Sequence, residues 1–266
     1  MIMNKEILTV KNLSFEYSDV SVLRDVSFSV NKGDFLGIIG SNGAGKSTLL
    51  KLILGLLPYK NGQILINGED IKKKKPDVGY VSQKANSFNT GFPATVGEVV
   101  MSGLKKRTRR VSNPAHPLRI CFANATKRKL FSRYTDEDRK HLKDCLARVG
   151  MTEYKDKLIG KLSGGQQQRA FIARALIGGS DILILDEPTV GIDAMSVKEI
   201  MKLISDINKQ GTTVIMTCHD TPTLVAAANK LLIFCEHGNG ELIERNQLSL
   251  DEIGELYAGK RRHHHA

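Results

Sequence analysis

Uninterrupted apolar runs alternate along this chain with stretches of helical spacing. Phe35-Leu36-Gly37-Ile38-Ile39, Ile182-Leu183-Ile184-Leu185 and Thr213-Val214-Ile215-Met216-Thr217 are of the first kind. Short runs without polar alternation mark strands of a parallel sheet, buried on both faces. Residues 7 to 30 alternate instead, so Ile7 to Val10 and Val22 to Val30 read as antiparallel strands flanking a polar turn. Gln63 to Ile66, followed by Asn67-Gly68, predicts a strand ending in a tight turn, and Val78 to Gln83 predicts a further short strand with a polar end.

Lys46 to Leu57 is expected to form a helix stopped by Pro58, and Thr95 to Leu104 and Asp136 to Gly150 carry apolar residues at helical spacing. Thr135 is the expected N-cap of the latter, with Asp136, Glu137 and Asp138 favourably placed in its first turn. Ser163 with Gln166 three residues later fits a capping box, so another helix should begin there and run to Gly178-Gly179. The pattern therefore predicts an α/β core over residues 1–86 and 164–247, with a mainly parallel sheet and an antiparallel β subdomain. A helical subdomain over 87–163 is inserted into it, and 248–266 form a C-terminal tail.

Between the first apolar run and the helix after it lies Gly40-Ser41-Asn42-Gly43-Ala44-Gly45-Lys46-Ser47-Thr48, which fits G-x-x-x-x-G-K-[ST] in the strand-loop-helix context that motif requires. Its glycines let backbone N–H groups converge on phosphate oxygens, the helix N-terminus adds partial positive charge, and Lys46 can reach the terminal phosphates. Ser47 is placed to ligate Mg²⁺. The core is thus expected to be of the P-loop NTPase type. Ser163-Gly164-Gly165-Gln166 offers a second anion site at a helix N-terminus, although capping alone describes an ordinary well-capped helix equally well. The three apolar runs end in the phosphate loop, in Asp186-Glu187 and in Cys218-His219. Ligands of open α/β sheets bind beyond the carboxyl ends of strands, so these groups are expected to converge.

Charge alters the picture in one place. The net charge is +11, which would ordinarily raise the question of nucleic acid. Ten Lys and Arg residues fall between Lys105 and Thr135 with no Asp or Glu among them, leaving the rest of the chain close to neutral. The charge belongs to one segment, and no nucleic-acid partner is expected. No stretch approaches the apolar length of a membrane span, and Met1 to Glu6 lack the features of a secretory signal. Cys121, Cys145, Cys218 and Cys235 show neither C-x-x-C pairing nor zinc-site spacing. A reduced cytoplasmic setting is the expectation.

Taken together, these residues resemble the ATP-binding-cassette ATPases, the motor subunits of ABC transporters, over residues 5 to 247. The specific element is Leu162-Ser163-Gly164-Gly165-Gln166, which matches that family's signature and would arise by chance in roughly three chains in ten thousand. The family's other elements follow in its order: an adenine-stacking aromatic (Tyr17), the phosphate loop, the Q-loop (Gln83), the Walker B carboxylates (Asp186, Glu187), the D-loop (Val190 to Asp193) and the switch histidine (His219). Val190 stands where the family more often has Ser or Ala. Phe92 to Val100 is similar to cassettes of bacterial zinc and manganese uptake systems, whereas the basic segment is longer than expected for them.

The resemblance implies that ATP stacks on Tyr17 and lies with its phosphates in residues 40–48. Asp186 and Ser47 would hold Mg²⁺, Gln83 would monitor the metal and the attacking water, Glu187 would be the general base and His219 would contact the γ-phosphate. Two cassettes would pair as an ATP-bound homodimer, each nucleotide completed by Ser163 to Gln166 of the other chain. Separate integral-membrane permease subunits and an external substrate-binding protein are implied, with this chain on the cytoplasmic face of the membrane. The competing reading is a cassette acting on nucleic acid or the ribosome, but the chain lacks the second cassette, coiled coil or zinc-ligand cysteines usual in such relatives. A P-loop kinase would leave the Leu162 to Gln166 signature unexplained.

Overall fold

A computed structural model describes residues 5–83, 92–104, 134–218, 220–234 and 238–245. The expectations for the basic segment 105–133, His219 and the tail 248–266 lie outside the described residues. The chain divides into two compact units, Met1–Ser87 with Ser180–Ala266, and Phe88–Gly179. The fold is α/β.

The first unit contains two sheets. Strands β1 (Glu6–Tyr17), β2 (Val20–Asn31), β4 (Asn61–Ile66) and β5 (Glu69–Asp70) pair antiparallel in the order β2-β1-β4-β5. The other sheet comprises β3 (Phe35–Ile39), β6 (Gly79–Val81), β7 (Ile182–Asp186), β8 (Thr213–Thr217), β9 (Lys230–Phe234) and β10 (Gly240–Glu244), in the order β10-β9-β3-β8-β7-β6. All its pairings are parallel except that of β10 with β9. β9, β10 and the helices α5 (Ala194–Lys209) and α6 (Thr221–Ala227) are not among the elements expected from the pattern.

Burial on both faces explains the apolar runs. Leu36 and Ile38 of β3 join Ile184, Ile215 and Leu232 in a core shared with the antiparallel sheet and with Leu49, Leu50, Leu52 and Ile53 of α1 (Lys46–Ile53). Gly37 faces the other way. A Cβ there would come within 3.0 Å of Leu224 Cγ, so the missing side chain lets α6 approach the sheet. At the opposite end of β3 from the phosphate loop, Lys230 of β9 bonds Asp34 Oδ2 at 3.0 Å and Glu244 Oε1 at 3.3 Å. Burial works to lower the Lys230 pKa, but the two carboxylates outweigh it and push the ammonium above its ordinary value.

α1 stops well short of Pro58. Gly55 adopts a left-handed φ of 65°, its N–H bonds Leu52 O, and the Leu56 N–H bonds Lys51 O, which closes a Schellman motif. Gly62 shows a stricter requirement. Its φ is 92°, and an added Cβ would lie 2.6 Å from both Asn12 O and Leu13 Cα of β1. Gly62→Ala is expected to cost about 2–5 kcal/mol, combining left-handed strain of roughly 1–2 with overpacking of roughly 1–3. Gly68, with φ 79° and nothing within 4 Å of an added Cβ, is the control. Gly68→Ala should show the strain alone, and the two urea midpoints should separate accordingly.

Among its described residues the second unit contains the helices α2 (Val96–Met101), α3 (Asp136–Arg148) and α4 (Gly164–Leu176), with α2 and α3 packing on α4 and on each other. All three begin with capping boxes, on Thr95, Thr135 and Ser163. α2 is shorter than its apolar spacing predicts, because Ser102, Gly103 and Leu104 continue as turns. A Cβ on Gly103 would lie 2.0 Å from Arg174 O, which places the backbones of this turn and α4 in direct contact.

Candidate functional site

The loop from Gly40 to Gly45 joins the buried end of β3 to the first turn of α1. Left-handed backbone at Gly43 (φ 84°) and Gly45 (φ 98°) produces its curvature, and at Gly45 an added Cβ would lie 2.8 Å from Leu23 Cδ2. Lys46 is buried, and its ammonium donates to Gly40 O at 2.7 Å and to Ser41 O at 2.9 Å, folding the side chain over the loop. Burial pushes the Lys46 pKa down from its ordinary value, while the carboxylates of Glu187 and Asp186 work to raise it. Ser41, Asn42 and Gly43 stay exposed at the rim, with Ala44, Ser47 and Thr48 partly covered.

The two carboxylates meet this loop from the end of β7. β8 lies between β3 and β7, and Asp186 pairs in register with Thr217. Ser47 Oγ and Thr217 Oγ1 both donate to Asp186 Oδ1, at 3.1 and 2.9 Å. Glu187, one residue beyond the strand, takes a left-handed φ of 50°. Its N–H is shared between Thr217 Oγ1 at 3.0 Å and Thr217 O at 3.2 Å. Gln83 Nε2 donates to Glu187 Oε2 at 2.5 Å. On β6, beside β7, burial and then the Asp186 carboxylate push the Tyr80 hydroxyl up to about 12. Lys46, Ser47, Gln83, Asp186 and Glu187 are thus brought together. Thr217 joins them without having been singled out. A polar residue closing an otherwise apolar run is the sequence signal that points to it.

The remaining candidates lie apart from this cluster or in the other unit. Tyr17 ends β1 with 44% of its surface exposed, and its ring is held edge-on to Phe15 at 4.8 Å. Asp193 N-caps α5, accepting from the Ser196 N–H at 3.0 Å, and this bond holds its carboxyl below the ordinary value. In the second unit Ser163 is exposed and exchanges capping bonds with Gln166. The Gln166 N–H reaches Ser163 Oγ at 3.3 Å, and the Ser163 N–H reaches Gln166 Oε1 at 3.2 Å. Gly164 and Gly165 form the first turn of that helix. His219 lies outside the described residues.

The donor set fits a hard divalent cation. Ser47 Oγ and Asp186 Oδ1 are two oxygens within 3.1 Å of each other at the mouth of an anion-binding loop. Among the described residues no group of three His, Cys, Asp or Glu could hold a metal unaided. Mg²⁺ typically takes one or two protein oxygens and completes its shell with phosphate and water, which matches this arrangement.

Comparison with known proteins gives concordant results. The "ABC transporter" family profile matches residues 23–190. The chain is 41% identical over 269 residues to the zinc uptake system ATP-binding protein ZurA of Listeria innocua, covering 98% of this chain and 95% of that protein. It is 40% identical over 212 residues to the manganese transport system ATP-binding protein MntB of Bacillus subtilis, covering 80% of this chain and 76% of that one. Among solved structures, cbiO1 of Clostridium perfringens, part of the ABC transporter complex cbiONQ, superposes with a TM-score of 0.73 at 28% identity, covering 95% of this chain and 98% of that chain.

Proposed function

Because this chain belongs to the ABC transporter family of ATP-binding proteins, we propose that it is the ATP-hydrolysing motor subunit of an importer for a divalent metal ion, zinc ahead of manganese. The observation that carries the chemistry is the hydrogen-bonded chain running from Ser47 through Asp186 and Thr217 to Glu187 and Gln83. It joins the phosphate loop to a buried pair of carboxylates, which is what phosphoryl transfer to water requires: positioning and charge neutralisation rather than covalent catalysis.

ATP is the substrate. Its adenine stacks on exposed Tyr17, and its phosphates lie against the backbone of residues 40–48. Lys46 turns from its two loop carbonyls to the β- and γ-phosphates as they arrive. Ser47 and Asp186 would hold Mg²⁺, with Gln83 beside them, and the ion would supply charge neutralisation on the phosphate oxygens. The Glu187 carboxylate accepts a proton from the attacking water, oriented by the bond from Gln83. His219 contacts the γ-phosphate. Ser163 to Gln166 complete the site from a second copy, in an ATP-bound homodimer, and Asp193 belongs to the nucleotide site.

Among the described residues no helix is long and apolar enough to cross a membrane. On this reading the transport path belongs to integral-membrane permease subunits, fed by a substrate-binding protein on the far side, with this chain held peripherally on the cytoplasmic face. Zinc uptake names one relative, which spans 98% of this chain, and manganese transport names another. Both favour import over action on nucleic acid or the ribosome. A strain lacking this gene should grow poorly when zinc is chelated and recover on added zinc or on the wild-type gene, but not on the Lys46→Ala gene. Recovery on manganese alone would overturn the zinc assignment, and full complementation by Lys46→Ala would overturn the motor role.

A further inference from the structure

Thr217 is a fully buried polar residue at the end of a strand otherwise composed of Val214, Ile215 and Met216 beyond Thr213. A hydroxyl in such a position is tolerated only when its hydrogen bonds are made. Both are made to consecutive residues: the O–H donates to Asp186 Oδ1 at 2.9 Å, and the oxygen accepts the Glu187 N–H at 3.0 Å.

Each bond constrains something specific. With Ser47 on the same oxygen, the first fixes the Asp186 carboxylate from two sides. The second helps hold Glu187 at φ 50°, a backbone region that a residue with a side chain rarely adopts. Left-handed backbone at this point decides where the Glu187 side chain leaves the strand, and hence whether it meets Gln83.

We propose that Thr217 is a positioning residue for hydrolysis, a single hydroxyl that orients the Mg²⁺ ligand Asp186 and the general base Glu187 together. This rests on the roles given above to those two carboxylates. Thr217→Val removes the hydroxyl with little change of shape, and the Glu187 N–H keeps its second acceptor, Thr217 O at 3.2 Å. The variant should therefore still fold, with its thermal midpoint lowered by a few degrees at most.

Two readouts separate positioning from a merely structural role. One is the Mg²⁺ concentration giving half-maximal binding of a fluorescent ATP analogue, measured without turnover; the other is the split between kcat and KM. In Thr217→Val the Mg²⁺ requirement should rise and kcat fall about tenfold, the scale of one lost hydrogen bond to a charged group. KM for ATP at saturating Mg²⁺ should hold. Thr217→Ser, which restores the hydroxyl, should recover both. Unchanged Mg²⁺ dependence and kcat in Thr217→Val, or a Ser variant no better than Val, overturns the proposal. Asp186→Asn locates the failure. If it too leaves the Mg²⁺ dependence intact, the role of Asp186 falls and Thr217 falls with it; if it abolishes that dependence while Thr217→Val changes nothing, only the Thr217 proposal fails.

Discussion

Glu187→Gln should bind ATP like the wild type yet lose roughly 10²- to 10⁴-fold in turnover, the usual loss when a general base is removed. Substitution by Gln targets proton transfer while shape and hydrogen bonding change little. Glu187 is buried and accepts from Gln83 Nε2 through one carboxylate oxygen. A glutamine at 187 offers an amide oxygen to the same donor, and its backbone N–H still reaches Thr217. The capacity to take a proton from water is lost, together with the negative charge that acts on Lys46. Single-turnover hydrolysis and equilibrium nucleotide binding, measured side by side, check this. Near-normal hydrolysis would remove Glu187 from the role, whereas weakened binding would show that the carboxylate acts on the ground state instead.

A mixture of two inactive variants, Lys46→Ala and Ser163→Arg, should trap ATP that neither variant traps alone. Lys46 is held over the phosphate loop in one compact unit, and Ser163 caps α4 in the other. The first N–H groups of any helix have no partner within it, so the exposed turn at Ser163 is suited to an anion brought from outside the chain. In a symmetric head-to-tail dimer, each site takes its loop from one copy and its Ser163 turn from the other. The heterodimer then contains one site with both halves intact and one with both halves broken. Sites completed within a single chain would leave no intact site at all. In a Glu187→Gln background the mixture should hold a single occluded ATP per dimer. No occluded ATP, with heterodimers shown to form, would overturn completion in trans. Because Arg at 163 also replaces an N-cap, circular dichroism of that variant should confirm that α4 persists.

Much of this architecture is legible before any coordinates. β3, β7 and β8 declare themselves because burial on both faces removes every polar residue from their middles, and the caps at Thr135 and Ser163 because their partners lie only three residues away. Features that depend on distant residues are not legible in the same way. The end of α1 is set by the left-handed turn at Gly55, a stop that acts earlier than Pro58. Thr217 reads as the polar end of a run, and its importance emerges only from the register that sets it against Asp186. β9 carries a legible apolar run in Leu231 to Phe234, but its place beside β3 depends on pairing Leu36 with Lys230 and on the ion pair to Asp34. Nothing local to either segment announces that pairing.

The position of β3 in its sheet also governs when the protein can first function during its own synthesis. β3 is synthesised well ahead of its two neighbours, β8 and β9, which begin at Thr213 and Lys230. Until those segments emerge, both edges of β3 are bare, and the strand that should anchor the phosphate loop has nothing to pair with. Pairings of such long sequence separation form slowly, and their unpaired edges invite aggregation meanwhile. The second unit, whose helices lie within Phe88–Gly179, can acquire its own contacts while β3 waits. A nascent chain therefore displays the phosphate-loop sequence long before it has a nucleotide site, and premature termination ahead of Thr213 yields a strand open to misassembly rather than a weakened ATPase.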